Sequence, residues 1–334
     1  MIERLIKNEV TLSRWREFKS IKRSYYSLWI FVALIALSAT AEFWANSKPI
    51  VMSYQSKIYF PVVKKYHPTE FNQIDTFVTN YRGVESDWAI WPPIKWDPFE
   101  SNKNVESYPS GLTGANIFGT DDRGRDVAAR LLYGFRYSIG FALLVWFLSY
   151  TIGCLVGAFM GYMGGWVDLL GQRVVEVFET VPVLMILITL VSIFEASMAM
   201  LVVIVSVFGW MMISYYIRAE FLKLRRRDFV ESARALGGSK FRVVFKHIFP
   251  NALGPIITFS PFTIAGLVSS LAILDYLGFG LAPPTPSWGE LLQQAHKNFL
   301  TAWWLALFPS LALFLTLVVL NLMGEGVREA VDPR

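Results

Sequence analysis

The sequence is poor in the residues that most enzymes use for chemistry. Its single cysteine, Cys154, lies inside an apolar run, where packing is its ordinary role. The three histidines, His67, His247 and His296, are scattered and have no partners at metal-ligand spacing. These residues therefore predict neither a disulfide framework nor a metal site. Charged residues are also scarce, at 17% of 334, which is unusual for a soluble protein.

The motifs of common enzyme classes are missing as well. The chain contains no G-x-x-x-x-G-K-[ST] and no Gly-Lys dipeptide, so it cannot hold ATP phosphates in the P-loop manner. It also contains no G-x-S-x-G and no H-E-x-x-H, the signatures of serine hydrolases and zinc peptidases. We therefore expect a non-enzymatic chain with no catalytic residue and no cofactor of its own.

Apolar residues, by contrast, make up 54% of the chain and are concentrated in long blocks. Each block is long enough to cross a bilayer, which takes about 20 residues. The blocks predict an all-α polytopic membrane protein with six transmembrane helices, at 28–45, 139–162, 174–194, 198–217, 252–274 and 303–322. Pro182 lies inside the third block, where neighbouring helices are expected to satisfy the freed carbonyl group.

This pattern divides the chain into four predicted segments. They are a cytoplasmic tail at 1–26, a first span at 27–46, a periplasmic insertion at 47–132 and a five-helix core at 133–334 with a cytoplasmic loop at 218–251. Ala39-Thr40-Ala41 imitates a signal-peptidase site, but the preceding basic segment is long for a signal peptide. The first span is therefore expected to be a retained anchor.

The basic residues behind the net charge of +5 set the orientation. They gather in the N-terminal tail and in loop 218–251, beside membrane spans, which explains them better than nucleic-acid binding does. The basic residues of the loop are Arg218, Lys223, Arg225, Arg226, Arg227, Arg234, Lys240, Arg242 and Lys246. They place the loop, and with six crossings both termini, in the cytoplasm. The basic amphipathic tail is suited to the lipid surface of the inner leaflet.

The insertion has a composition of its own, rich in Tyr, Trp and Pro and without a span-length apolar run. Residues 51–54 and 58–63, separated by Gln55-Ser56-Lys57, are predicted to form a β-hairpin. Two interpretations of this segment stay open. It is either a spacer or a surface that receives a delivery protein or a substrate.

Loop 218–251 carries the strongest local signals. Small residues at Ser232, Ala233 and Ala235 would let a short helix approach another protein closely, and Gly237 would allow a turn with φ > 0. Pro250 would fix the start of the fifth span. We predict a docking surface that passes motion from an external motor into the membrane; the alternative is a solvated basic loop.

An ion-gradient-driven carrier would need ionisable groups deep in the bilayer, where each is costly. Glu176, Glu179 and Asp275 are all predicted near span ends, which argues against that class. The alternatives that stay open are an ion-gradient-driven peptide carrier, failing that a channel, and a structural scaffold for a membrane complex. Candidates for the translocation pathway or gate are Trp210, Tyr215, Asp275 and Tyr276.

The loop resembles the E-A-A-x3-G-x9-I-x-L-P motif of permease subunits of ABC importers. Glu231-Ser232-Ala233, Gly237 and His247-Ile248-Phe249-Pro250 occupy its positions, with departures at Ser232, His247 and Phe249. FGTDDRGRDVAARLLYGFRYS (118–138), GYMGGWVD (161–168), PPTPSWGELL (283–292) and GEGVREAVDP (324–333) are similar to the dipeptide/oligopeptide branch. Within it, the long insertion and LDYLGFG (274–280) resemble the microcin C (Yej-type) peptide importer permeases.

The resemblance implies the fold of a type I importer permease in the bacterial inner membrane, carrying oligopeptides or microcin-C-like peptide conjugates inward. Its implied partners are a second, homologous permease, two cytoplasmic ATP-binding domains that hold ATP and Mg, and a periplasmic peptide-binding protein. Glu231, Ser232, Ala233, Ala235, Gly237 and Pro250 would form the contact that couples ATP hydrolysis to transport.

Overall fold

The computed structural model of the protein describes residues 9–73, 77–194 and 196–331. The chain divides into two compact units. The first consists of Met1–Phe31, Ile139–Ser270 and Thr316–Arg334, and the second of Val32–Ser138 and Leu271–Leu315. Each unit is described by itself below.

Long apolar helices dominate the chain, as the composition predicts. Within the described residues, four helices can cross a membrane by length and composition. They are α4 (Val127–Met163), the continuous pair α7 (Met198–Gly209) and α8 (Met211–Leu224), α11 (Gly254–Tyr276) and α13 (Trp303–Val331). A fifth candidate is the bent pair α5 (Gly165–Glu179) and α6 (Val183–Ile193).

The predicted first span differs from the structure at both ends. After α1 (Glu9–Ser20), α2 runs over Lys22–Ala39, and the short α3 (Ala41–Trp44) follows a break at Thr40. The first six residues of α2 are KRSYYS, so its apolar part is short. The expected count of six spans therefore stays a prediction.

The third predicted span is not one straight helix, so the expectation that Pro182 is tolerated inside it was wrong. The axes of α5 and α6 differ by 58°. Proline lacks an N–H and disfavours helical conformation in the residue before it. The chain instead makes a tight turn, in which Val181 N donates to Phe178 O at 3.2 Å, and a new helix starts after Pro182.

The second unit contains the predicted hairpin, but the second strand covers 57–59 rather than 58–63 and the turn has two residues rather than three. β1 (Val51–Tyr54) pairs antiparallel with β2 (Lys57–Tyr59), and β3 (Trp88–Ile90) adds to the other side of β1. Gln55 and Ser56 form the turn with φ of 50° and 61°, a geometry that matches the twist of two-residue hairpins. An aromatic cluster with Phe71 at its centre packs beneath, consisting of Tyr54, Tyr59, Tyr66, Phe71 and Tyr81.

A buried ionic cluster closes the start of α4 in the same unit. Arg125 donates to Asp121 at 2.7 Å and to Glu290 of α12 (Trp288–Lys297) at 3.0 Å. Arg130, fully buried, donates to Glu290 as well. Burial and the Asp121 carboxylate raise the pKa of the adjacent Asp122. Because α4 starts at Val127, the predicted boundary at 132/133 lies inside this helix.

Candidate functional site

The basic loop folds as a helical hairpin within the first unit. It consists of α9 (Asp228–Ala235), a glycine turn, and α10 (Lys240–Arg242), which continues as a π-helical segment, Val243–Ile248. A 3-10 turn at Phe249–Asn251 then leads into α11, and Pro250 lies in this turn as an exposed residue. π-helical turns are rare and often mark functional positions.

Gly237 follows the end of α9 and adopts the positive φ that the sequence predicts there. Its φ is +79°, and its N–H donates to Arg234 O at 2.9 Å. The N–H of Gly238 donates to Ala233 O at 3.0 Å. These two hydrogen bonds form a Schellman turn, which favours glycine at the left-handed residue. A Cβ on Gly237 would meet no atom within 4 Å, so the requirement for glycine is conformational rather than steric.

One face of the hairpin is anchored in an apolar cluster. Val230, Val243 and Ile248 are each 0% exposed. They pack against residues of α4 and α8, and Ala233 joins the edge of the same cluster. The other buried members, from α4, α8 and the residue after the 3-10 turn, are Tyr150, Cys154, Ile213, Ile217, Phe221 and Ala252. The hairpin is therefore attached to two membrane helices rather than solvated on all sides.

The opposite face leaves large apolar side chains uncovered. Leu236 at the tip is 88% exposed and Phe241 is 72% exposed. Phe229 is exposed as well, and Phe245 is exposed at the edge of the hairpin, where it borders a groove lined by α4. A solvated loop without a partner would not be expected to present such large apolar side chains next to so many cations. This face has the character of a protein contact.

The predicted coupling residues distribute over both faces. Glu231, Ser232, Ala235 and Gly237 are exposed. Ala233 is half-buried against the cluster and faces inward. Ser232 and Ala235 are thus accessible to a partner, whereas Ala233 contributes to the attachment of the hairpin; a coupling role for any of these residues stays a prediction.

Some arginines that the sequence assigns to topology also hold the hairpin in place. Arg225 donates to the carbonyl oxygen of Tyr162 at 3.2 Å, and Arg234 lies 5.4 Å from the centroid of the Tyr162 ring. Arg218 forms a two-point ion pair with Asp168 of α5, whose second bond measures 2.6 Å. The hairpin is thereby tied to the end of α4, and α8 is tied to α5.

The candidates for a pathway or gate lie in different settings. Trp210 is buried between α7 and α8, and the hydroxyl of Tyr215 donates to Glu179 at 3.2 Å. In the second unit, Asp275 is 6% exposed and accepts hydrogen bonds from Leu281 N and from the Ser287 hydroxyl. Asp275 thus closes the loop after α11, whereas its neighbour Tyr276 is exposed. A role of these residues in transport stays a prediction.

A stripe of glycines on α4 was missed at the level of sequence. A Cβ on Gly153, Gly157 or Gly161 would lie 2.5 Å, 2.4 Å or 2.6 Å from a backbone oxygen of the 210–218 segment. Their spacing of four residues is the small-xxx-small pattern of closely packed membrane helices, so the sequence does contain a pattern that predicts this close contact. In the described part of the chain, no group of acidic, histidine or cysteine side chains is arranged to hold a metal ion.

Comparison with known proteins adds to this geometry. Residues 153–334 match the family described as "Binding-protein-dependent transport system inner membrane component". The chain belongs to this family. It is 39% identical to the inner membrane ABC transporter permease protein YejE of Escherichia coli strain K12, over 97% of both chains. It is 38% identical to the peptidoglycan transport system permease protein YejE of Agrobacterium fabrum, over 97% of this chain and 93% of that one.

More distant relatives share the core of this permease. The oligopeptide transport system permease protein OppC of Haemophilus influenzae is 33% identical over 70% of this chain and 76% of that one. An inward-facing structure of the MetNI methionine ABC transporter aligns with a TM-score of 0.51 and 17% identity. It covers 61% of this chain and 96% of that chain, and it shows the shared fold.

Family membership confirms three expectations. The protein is a permease subunit of the inner membrane rather than an enzyme. It has the fold of type I ABC importer permeases. It belongs to a binding-protein-dependent transport family, which implies a substrate-binding protein and, for an ABC transporter, ATPase and permease partners; which chains these are stays a prediction.

Proposed function

We propose that this permease imports peptides from the periplasm into the cytoplasm, and that its hairpin docks on an ATPase subunit. The peptide class is supported by relatives that carry oligopeptide transport in their names. The similarity to a peptidoglycan transport permease extends the class to peptide conjugates. The two ATP-binding domains would hold ATP and Mg, so this chain needs no cofactor of its own.

One observation carries the docking proposal, namely the two-faced hairpin. Val230 and Val243 bury one face completely, while Leu236 and Phe241 leave the other open. An interface needs a few uncovered apolar residues at its centre and a polar rim, and the exposed Glu231 and the surrounding cations supply that rim. Burial of the other face lets a force on the hairpin reach α4 and α8.

The experiment compares two variants, each of which replaces one exposed leucine with glutamate. Leu236→Glu should abolish most ATP-dependent peptide uptake by proteoliposomes and detach the ATPase during purification, because a charge at the interface centre is poorly solvated. Leu300→Glu is the matched control, since Leu300 is 96% exposed and follows α12. The control should insert, assemble and transport normally. Normal ATPase retention by the Leu236 variant would refute the docking role.

The energy source and orientation are tested in the same preparation. Uptake should require ATP and persist with a protonophore; protonophore-sensitive, ATP-independent uptake would instead support the ion-gradient carrier. A cysteine introduced at Leu236 should react with an impermeant maleimide only from the cytoplasmic side, and one at Ile58 only from the periplasmic side. The native Cys154 is buried and should contribute little background labelling.

A further inference from the structure

An apolar cleft lies beside the N-terminal helix in the first unit. It encloses about 380 Å³, a volume within the range of small-molecule sites. Its walls come from four helices. They are Trp15 and Phe18 of α1, Leu28 of α2, Ile257 of α11, and Met323 and Val327 of α13. The lining is almost wholly hydrocarbon, so a fully polar solute would gain nothing there.

The walls of this cleft are firmly held. Arg23 lies 3.3 Å from both Glu325 and Glu329 of α13, which joins α2 to the end of that helix. A Cβ on Gly326 would lie 2.3 Å from Ser24, which shows how closely the two helices approach. Phe18 of α1 packs against the same position, Gly326 of α13, and only 6% of its surface is exposed. The cleft is therefore a built feature rather than a gap beside a loose tail.

Its position and charge indicate what occupies it. Ile257 lies in the first turn of α11, directly after the basic hairpin, so the cleft opens at the membrane end that the charges assign to the cytoplasm. Arg14 is the one cation among the described lining residues, and it is exposed. A basic helix beside a span attracts the anionic lipids of the cytoplasmic leaflet.

We propose that the cleft binds one anionic phospholipid, with an acyl chain between α1 and α13 and the headgroup phosphate on Arg14. Hydrocarbon walls with a guanidinium at the rim match a molecule that is apolar along its length and negatively charged at one end. Selectivity for anionic over zwitterionic headgroups would come from Arg14, whereas affinity for the chain would come from the walls.

The test is native mass spectrometry of the complete transporter, titrated with dioleoyl-phosphatidylglycerol or dioleoyl-phosphatidylcholine. We expect preferential binding of phosphatidylglycerol and at least a roughly fivefold loss of its affinity in Arg14→Glu, the effect of one surface charge or more. Lys22→Glu carries the same charge change outside the cleft and should bind nearly as well as the unaltered protein. An equal loss in both variants would mean diffuse attraction and would overturn the proposal.

A second measurement identifies the occupant directly. A photoreactive benzoyl-phenylalanine in place of Ile257, which is 42% exposed, should crosslink to phospholipid when illuminated in native membranes. The same crosslinker in place of Trp166, which is 79% exposed and outside the cleft, is the reference for background lipid labelling. Crosslinking to a protein chain instead would show that the second permease covers the cleft, and the lipid proposal would fail.

Discussion

The close approach of α4 to α8 gives a sharp prediction for Gly157. In Gly157→Ala, the new Cβ would start 2.4 Å from the carbonyl oxygen of Ser214 and 3.1 Å from its Cα. Ordinary van der Waals contact begins at 3.4 Å, so the two helices would have to separate by about 1 Å. Overpacking of this kind costs roughly 1–3 kcal/mol of unfolding free energy.

Gly140 provides the matched control on the same helix. A Cβ there would meet no atom within 4 Å. Both substitutions gain the same helix propensity, about 0.5–1 kcal/mol from glycine to alanine. The difference between Gly140→Ala and Gly157→Ala therefore isolates the packing cost, and it should equal roughly 1–3 kcal/mol.

Thermal unfolding of the two purified variants in one detergent measures this difference. We expect Gly157→Ala to melt several degrees below Gly140→Ala and to lose more uptake than its stability alone explains, because the cluster that anchors the hairpin is built on α4 and α8. Equal melting temperatures for the two variants would refute the claim that the glycine stripe sets the distance between these helices.

Two further predictions concern single local interactions. Asp168→Asn should destabilise the protein by about 1–3 kcal/mol, because Arg218 would lose its charged partner in a largely buried site. Chemical denaturation measures this loss of unfolding free energy. The loss should vanish when Asp168→Asn is introduced into a protein that already carries Arg218→Gln. Ser56→Gly should stabilise the hairpin by roughly 0.5–1 kcal/mol, since its φ of 61° strains an L-residue. Slower proteolysis of the insertion would show this gain, whereas faster cleavage would contradict the assigned turn geometry.

Local signals account for most of what the sequence could predict. The hairpin at 51–59 follows from two short strand-forming runs around a polar turn, and the end of α9 follows from a glycine after a short helical run. Both depend on neighbours within a few positions. The apolar blocks also place the long helices, because crossing a bilayer demands length and hydrophobicity rather than any particular partner.

Interactions between distant residues were beyond sequence reasoning. The Asp168–Arg218 ion pair joins positions 50 residues apart, and Arg125 reaches Glu290 across 165 residues. Nothing local marks either partner, since an arginine near a span end has topology as its simplest explanation. The prediction that Pro182 lies inside one continuous helix failed for a related reason. Whether neighbouring helices can satisfy a freed carbonyl depends on packing that one sequence does not reveal.

The contacts of the hairpin restrict how it can move. Val230 and Val243 are buried against α4 and α8, and Arg225 fixes the hairpin region to Tyr162 at the end of α4. Because the glycines of α4 bring the two helices into backbone contact, a displacement of α9 must carry α4 and α8 together or break these contacts. The π-helical segment after α10 continues this attachment, since Val243 at its start and Ile248 at its end are both buried. A push on the exposed face would therefore reach the membrane as the motion of a helix pair.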